Sequence, residues 1–241
     1  MKPLAAPAPA TPRRVAVEVG GAFVVATGLA AALYPVGALR NVYAAIIAGL
    51  LLYVPAFVLR RHDLGRYGAT ARPVGRSLLA TAIAVAVLFP LFAAGYLAWQ
   101  RFACAAPSLR ALAPGPCAMG VPWPRFHPRL PADALELALS QLIVVALPEE
   151  FFFRGFVQGR LAEVWPARRW GGAVAGPIVA ASALFALCHV AVQQNPATAV
   201  VFFPGLVFGL IRARTGSLLG GTLFHALCNL YIEALHRSFF G

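Results

Sequence analysis

Long apolar stretches, separated by short polar connections, dominate this chain of 241 residues. Hydrophobic residues make up 60% of it and charged residues 12%, whereas soluble domains carry about 45–50% and about 25%. A soluble enzyme, a disordered chain and a coiled coil are therefore excluded. Since about 20 apolar residues cross a bilayer as a helix, we predict an all-α, polytopic transmembrane helical bundle of about seven spans. The predicted spans are Val15–Leu33, Val42–Leu59, Ser77–Trp99, a long element within Ala132–Trp165, Val174–Val192, Ala197–Ile211 and Ser217–Leu235.

The net charge of +12 comes mainly from arginine. In a soluble protein such a charge indicates nucleic-acid binding, but these arginines lie almost entirely outside the apolar stretches. That distribution is typical of residues that orient a protein in a membrane and contact anionic lipid. We therefore expect the lipid bilayer as a partner and no nucleic acid. The arginine-rich connection 60–76 predicts that this side faces the cytoplasm, and the Ala- and Arg-rich composition favours a bacterial inner (cytoplasmic) membrane.

The connection 100–130 contains Cys104 and Cys117 among several prolines. If it faces an oxidising compartment, these two cysteines can pair. Cys188 and Cys228 lie within predicted spans, where cysteine usually packs as a small apolar residue. The N-terminal segment has the charge pattern of a signal peptide, but it lacks a convincing small-residue cleavage site. We therefore expect an uncleaved first span.

Ionisable residues inside the apolar stretches are the most informative about function, because each is costly at bilayer depth. In the fourth element, Glu149 and Glu150 follow Pro148, and Arg154 comes four residues after Glu150. On a helix, Glu150 and Arg154 share a face and can pair. Glu149 points about 100° away and stays free to act as a general base. A structural alternative is open, since Pro-Glu-Glu is also a common helix start. A break at Pro148 would satisfy both interpretations.

Two later spans carry further polar residues at helical spacing. His189 follows Phe185 by one turn, and Asn229 follows His225 by one turn. An imidazole and a carboxamide on one face can donate hydrogen bonds to a developing oxyanion. Each residue also has a structural interpretation, because His and Asn join transmembrane helices through hydrogen bonds. Their joint occurrence in three spans favours one shared polar site.

The motifs Glu149-Glu150-x-x-x-Arg154, Phe185-x-x-x-His189 and His225-x-x-x-Asn229 resemble the signature of the glutamic-type intramembrane proteases. This is the CPBP or Abi family, which includes CAAX prenyl endopeptidases and bacterial bacteriocin-processing and immunity-associated proteins. The resemblance covers about residues 141–233 and implies a helical membrane fold with a polar intramembrane cavity. It divides the chain into a tail over 1–14, transmembrane helices and loops over 15–130, and a CPBP-like catalytic core over 131–241.

The resemblance also implies a role for each site residue. Glu149 would activate a water molecule with help from His189, while His225 and Asn229 would stabilise the oxyanion. Glu150, Arg154 and Phe185 would support the site, and no cofactor would be required.

The family resemblance implies a membrane-associated or lipid-modified protein substrate, cut near its C-terminal region. Bacteria generally lack CAAX prenylation, so we favour the myxosortase-like branch. Its enzymes remove a C-terminal sorting tail made of a short motif, an apolar span and an arginine cluster. A role in bacteriocin maturation or self-immunity is the rival hypothesis.

Two other classes of protein are alternatives to a glutamic-type protease, because they would use the same polar residues. A zinc-dependent intramembrane metalloprotease would use Glu149, His189 and His225 as ligands, although the chain lacks H-E-x-x-H. A transporter or scaffold would relay protons through the same groups, although no internal pseudo-symmetry is visible.

For Glu149 and His189 to meet, the fourth and fifth spans must lie near Ala138–Gly159 and Pro177–Asn195, and we predict these shifted boundaries.

Overall fold

In a computed structural model of the chain, the described residues form seven helices that run back and forth along one bundle. The structure describes residues 10–60, 62–112, 117, 126–129, 133–165, 169–170 and 173–240. The helices are α1 Pro12–Leu33, α2 Tyr43–Val58, α3 Val74–Ala105, α4 over residues 134–164, α5 Ala175–Gln193, α6 Phe202–Thr215 and α7 Leu219–Phe240. Between them lie 3-10 segments at Gly37–Leu39, Leu64–Tyr67, Pro107–Leu112 and Pro196–Val201, and an antiparallel pair of short strands, β1 Arg169–Trp170 and β2 Ala173–Val174.

The predicted fold class is confirmed, because each predicted span corresponds to one helix of the bundle. Within the described residues, four helices are long and apolar enough to cross a membrane, and α2 is an apolar helix of 16 residues. The four are Pro12–Leu33, Val74–Ala105, Ala175–Gln193 and Pro196–Thr215. The chain is therefore a multi-pass membrane protein.

The fourth helix has an irregular backbone around the predicted site. Its five consecutive segments are Ala134–Leu139, Ser140–Ala146, Leu147–Glu150, Phe151–Val157 and Gln158–Val164, of which the second and fourth are π-helical. The break considered at Pro148 is absent, since Leu147 and Phe151 on either side of it keep helical backbone angles. Proline lacks an N–H donor, and wider π turns absorb such irregularities and often occur at functional sites. Glu149 and Glu150 therefore lie in the middle of α4 and not at its start.

Close packing around α4 forms the core of the bundle. All residues of Phe151–Val157 are buried. A Cβ atom at Gly205 of α6 would lie 3.0 Å from Arg154 Nη2, and one at Gly209 would lie 2.9 Å from Gln158 Oε1. Arg154 and Gln158 donate hydrogen bonds to the carbonyls of these glycines, at 3.2 and 3.1 Å. Small residues at this spacing let transmembrane helices approach closely, and here they also supply acceptors to α4.

One end of the bundle is held together by ion pairs, and we call it the Arg-rich end. It comprises the start of α1, residues 59–60 and 62–73, the end of α4 and the turn at 216–218. Arg160 of α4 pairs with Glu18 and with Glu163, each at 2.5 Å. Tyr67 donates a hydrogen bond to Glu163. Burial, together with this hydrogen bond, raises the pKa of Tyr67 to about 12, so the phenol is a neutral donor at physiological pH.

The opposite end, which we call the disulfide end, comprises the segment 34–42, the end of α3 and the end of α5. Cys104 and Cys117 form the disulfide that the sequence suggested. The amide of His127 donates a hydrogen bond to the carbonyl of Ser238 at 3.0 Å, which joins the end of α7 to the connection that precedes α4. The two ends of the bundle thus differ in both charge and covalent chemistry.

Candidate active site

Glu150 is held by two partners in the interior of the bundle. Its Oε1 atom accepts a hydrogen bond from Arg154 Nη1 at 2.8 Å and lies 3.0 Å from His225 Nδ1. The side chains of Glu150 and Arg154 are fully buried. The Arg154 guanidinium also lies over the rings of Phe185 and Phe208, at 4.4 and 4.9 Å from their centroids. The Glu150–Arg154 pair predicted from the i,i+4 spacing is therefore present, and it engages the Oε1 atom of Glu150.

Glu149 has a different environment, although it is the adjacent residue. Within the described part of the chain, its buried Oε2 atom has no hydrogen-bond partner. That atom lies 3.6 Å from His225 Nε2, which is longer than a hydrogen bond. The Glu149 side chain is 19% exposed, against 0% for Glu150. Among the described residues, the buried Oε2 atom of Glu150 also lacks a hydrogen-bond partner, so the two acids differ in their exposure.

His225 stands between the two carboxylates. Its Nδ1 faces Glu150 and its Nε2 faces Glu149, and its ring stacks on Phe208 with 4.7 Å between centroids. An ionised carboxylate only accepts hydrogen bonds, so Nδ1 carries a hydrogen when it bonds to Glu150. A second proton on Nε2 would make an imidazolium, and its charge together with that of Arg154 would balance both carboxylates. His225 thus links the two acids in space, bonded to Glu150 and 3.6 Å from Glu149.

Glu149 and His189 both line a cavity of about 370 Å³. His189 Nδ1 lies 3.0 Å from the carbonyl oxygen of Phe185. Because a carbonyl can only accept, neutral His189 carries its hydrogen on Nδ1 and leaves Nε2 as a free acceptor. Glu149 and His189 thus meet at one cavity, as predicted. α4 includes the predicted span Ala138–Gly159, but the shifted boundary of the fifth span is wrong, because α5 covers Ala175–Gln193, close to the unshifted Val174–Val192.

Phe185 connects the two parts of the site. Its ring covers Arg154 and contacts the rings of His189 and His225, with centroid separations of 4.4 and 5.7 Å. Only 2% of the residue is exposed. Phe185 therefore lies between Arg154 of the buried ion pair and His189.

Asn229 lies one helical turn beyond His225 on α7, at the edge of this arrangement. Its Nδ2 atom donates a hydrogen bond to Gln141 Oε1 of α4 at 2.8 Å. An amide nitrogen has two hydrogens, so one remains after this bond. In the described part of the chain, Asn229 does not belong to the wall of the cavity that contains Glu149. The structure therefore joins Glu149, Glu150, Arg154 and His225 directly, while Asn229 contacts the site through its helix.

Three residues near the site were missed by sequence reasoning. Gln141 is a polar residue within an apolar stretch, and that signal was available. Phe208, which stacks on His225, and Tyr43, which lines the cavity, gave no such signal. Aromatic residues are common in membrane spans, and nothing in the sequence places α2 or α6 beside α4. Their positions depend on helix packing.

The described residues contain no group of three or more His, Cys, Asp or Glu side chains that could hold a metal ion. The alternative zinc ligands Glu149, His189 and His225 therefore do not form such a group in this arrangement. Their chemistry is better described as two carboxylates, two imidazoles and a guanidinium.

The fold and the site define a helical membrane protein with a buried carboxylate–imidazole cluster beside a cavity. Residues 131–231 match the family model described as type II CAAX prenyl endopeptidase Rce1-like. This match agrees with the resemblance of the motifs to the CPBP family, and it supports similarity to CAAX-type intramembrane endopeptidases over these residues. It covers less than half of the chain and includes every predicted site residue. No curated protein and no solved structure matches the chain.

Proposed function

We propose that the protein is a glutamic-type intramembrane endopeptidase in which Glu149 activates a water molecule. The observation that carries this proposal is the contrast between two adjacent acids. Glu150 is fully buried and binds Arg154 and His225 through Oε1, whereas Glu149 is 19% exposed and lines a cavity that His189 also lines. A general base must reach the water that it deprotonates, and Glu149 meets this condition.

The proposed reaction begins when Glu149 takes a proton from a water in the cavity. His189 orients that water through its free Nε2 atom, which accepts a hydrogen bond from the second hydrogen. The water oxygen attacks the carbonyl carbon of the peptide bond, and the carbonyl oxygen becomes an oxyanion. Protonated Glu149 then gives its proton to the amine nitrogen as the C–N bond breaks. One water is consumed, and a carboxylic acid and an amine are released.

His225 and Asn229 supply the proposed oxyanion donors. While Glu149 is ionised, a proton on His225 Nε2 faces it at 3.6 Å. Glu149 becomes neutral when it accepts the proton from water, so its attraction for the Nε2–H group of His225 weakens. This N–H group can then donate its hydrogen bond to the oxyanion. The remaining Nδ2 hydrogen of Asn229 is the second donor. Glu150 holds His225 in place through Nδ1, while Arg154 and Phe185 support Glu150.

We propose as substrate a membrane-associated protein that is cut near its C-terminal region in a bacterial inner membrane. Several cavity walls are apolar or small side chains, among them Ala26, Ala30, Ile47 and Val192. They suit an uncharged segment of a membrane-anchored chain. A C-terminal sorting tail with an apolar span and an arginine cluster is the substrate that we favour.

The decisive variant is Glu149→Gln, which keeps the shape of the side chain and removes the base. We expect cleavage of a reporter with such a C-terminal tail to fall roughly 10²- to 10⁴-fold, while the reporter still co-purifies with the variant. Cleavage is followed by mass spectrometry of the released C-termini. Glu136→Gln is the matched control, because Glu136 lies on the same helix and is exposed. Full activity of Glu149→Gln would rule the proposal out.

The same assay tests a metal requirement. If water is activated by Glu149 alone, cleavage should continue at an unchanged rate after treatment with EDTA and 1,10-phenanthroline. Loss of cleavage on chelation, restored by added zinc, would favour the zinc-dependent alternative with Glu149, His189 and His225 as ligands. A parallel assay with the chelator already saturated by zinc controls for direct effects of the chelators on the reporter.

A further inference from the structure

The two ends of the bundle carry different numbers of arginines. Arginines at helix ends and short connections accumulate on the cytoplasmic side of membrane proteins. Among the described residues, the Arg-rich end carries Arg13, Arg14, Arg60, Arg66, Arg72, Arg76, Arg160, Arg212 and Arg214, and the disulfide end carries Arg40, Arg101, Arg110, Arg129 and Arg237. This distribution places the Arg-rich end in the cytoplasm.

The disulfide gives the same orientation from unrelated chemistry. Disulfides persist in oxidising compartments and are rare in the reducing cytoplasm. Cys104 and Cys117 are joined at the end opposite to the Arg-rich end. Charge and redox chemistry therefore agree that the disulfide end lies outside the cytoplasm.

The cavity that contains Glu149 is located towards the disulfide end. Tyr34 follows the last residue of α1, Tyr43 is the first residue of α2, and Gln193 is the last residue of α5. All three line the cavity, and each of these helix ends faces the disulfide end. Tyr34 and Gln193 are exposed, so they form the rim. His189 is four residues from the end of α5, about 6 Å along the helix.

Towards the Arg-rich end, the space below the cavity is filled. Val15, Leu59, Phe152, Phe156 and Val157 are all 0% exposed and belong to one packed core. Beyond them, the ion pairs of Arg160 with Glu18 and Glu163 join α1 to the end of α4. Close-packed interiors leave few voids larger than a water molecule. The cavity is therefore closed from the cytoplasmic side.

We propose that the catalytic cavity is open to the extracytoplasmic side of the membrane. Its substrate is then an uncharged, extracytoplasmic segment that adjoins the apolar anchor of a membrane protein. The nature of the substrate rests on the proposed function, whereas the orientation of the cavity in the membrane does not depend on it. Tyr34 and Gln193 are the rim residues that an incoming segment meets first, and Glu149 and His189 lie deeper.

Single-cysteine variants test the orientation without any assay of activity. Gln193→Cys places a thiol at the rim, and Ala71→Cys places one at the Arg-rich end, where Ala71 is exposed. Both are made with Cys188 and Cys228 replaced by Ala and with the disulfide retained. In intact cells, a membrane-impermeant maleimide should label only Gln193→Cys, and both variants should react after permeabilisation. Any other labelling pattern overturns the proposed orientation.

A second experiment identifies where the cut falls. Membrane and secreted proteins from cells that express the wild type or Glu149→Gln are compared by mass spectrometry of new C-termini. Termini that depend on Glu149 should map to extracytoplasmic segments next to apolar anchors. Cytoplasmic termini would overturn this inference and leave the proposed hydrolase intact. An absence of Glu149-dependent termini would instead overturn the proposed function, while the labelling result would still decide the orientation.

Discussion

Helices α3 and α4 are of similar length but have opposite surroundings. α3 exposes large apolar side chains, with Leu79 at 61% and Leu91 at 65%, and only 11% of its most apolar window is buried. α4 buries every residue of Phe151–Val157, including an arginine. α3, the helix most easily recognised from the sequence as a membrane span, therefore lies at the outer surface of the bundle. The helix that carries the candidate chemistry is surrounded by protein.

This difference has a physical cause. Lipid supplies no hydrogen-bond partners, so a charge at the membrane-facing surface is costly. Inside the bundle, Arg154 finds a carboxylate on Glu150, a carbonyl on Gly205 and two aromatic rings. Burial within protein is therefore the condition under which ionisable residues can be assembled at this depth.

The largest effect on stability is expected from Arg154→Leu. This change removes the partner of Glu150 and leaves a buried carboxylate with only His225, which should lower the free energy of unfolding by about 3–5 kcal/mol. The measurement is a denaturant titration in mixed micelles. Arg237→Leu is the matched control, because it breaks an i,i+4 pair with Glu233 that is 46% and 42% exposed. Exposed pairs contribute about 0.2–1 kcal/mol, so equal losses in the two variants would contradict the comparison.

A smaller contrast is expected when the same aromatic side chain is removed from α4 and from α3. Phe156 of α4 is 0% exposed and Phe102 of α3 is 58% exposed. Phe156→Ala should destabilise the protein by about 3 kcal/mol, since it leaves a cavity in a packed core. Phe102→Ala should change the free energy of unfolding by about 0.5 kcal/mol or less. The same titration measures both, and a large loss for Phe102→Ala would show that this part of α3 has a protein partner.

Much of the fold could be predicted from hydropathy alone, because each apolar stretch forms one helix. Boundaries were harder to predict. α3 extends from Val74 to Ala105, beyond the predicted Ser77–Trp99, since helices can continue past the apolar region when nothing ends them. The continuous passage of α4 through Pro148 was not predictable either, because π-helical turns have no simple sequence signature.

The candidate site was predictable where spacing along one helix determines the contact. The pairing of Glu150 with Arg154 follows from their i,i+4 relation. Contacts between helices were beyond such reasoning. His225 was expected to donate to an oxyanion, but its position between two carboxylates depends on how α7 packs on α4. The hydrogen bond between Asn229 and Gln141 likewise joins residues far apart in the chain.

The smallest effect concerns His62, which lies outside the membrane helices at the Arg-rich end. Burial, and then the positive charge of Arg160, lower the pKa of His62 below its ordinary value of 6.5. Within the described residues its Nδ1 atom has no hydrogen-bond partner, and its ring packs edge-on against Tyr67 with 5.8 Å between centroids. The folded protein thus favours neutral His62, whereas the unfolded chain binds a proton more readily.

The contribution of neutral His62 to the free energy of unfolding should therefore be fully present above pH 6.5. It should decrease as the pH falls below this value, because protonation of His62 favours the unfolded state. His62→Gln removes the titrating group and should make the free energy of unfolding less dependent on pH between 8 and 5. Denaturant titrations of both proteins at each pH measure the difference, so contributions from other acids and histidines cancel. Parallel pH profiles would mean that His62 is equally easy to protonate in both states. The ion pairs of Arg160 would then be the main electrostatic link between α1 and α4 at this end.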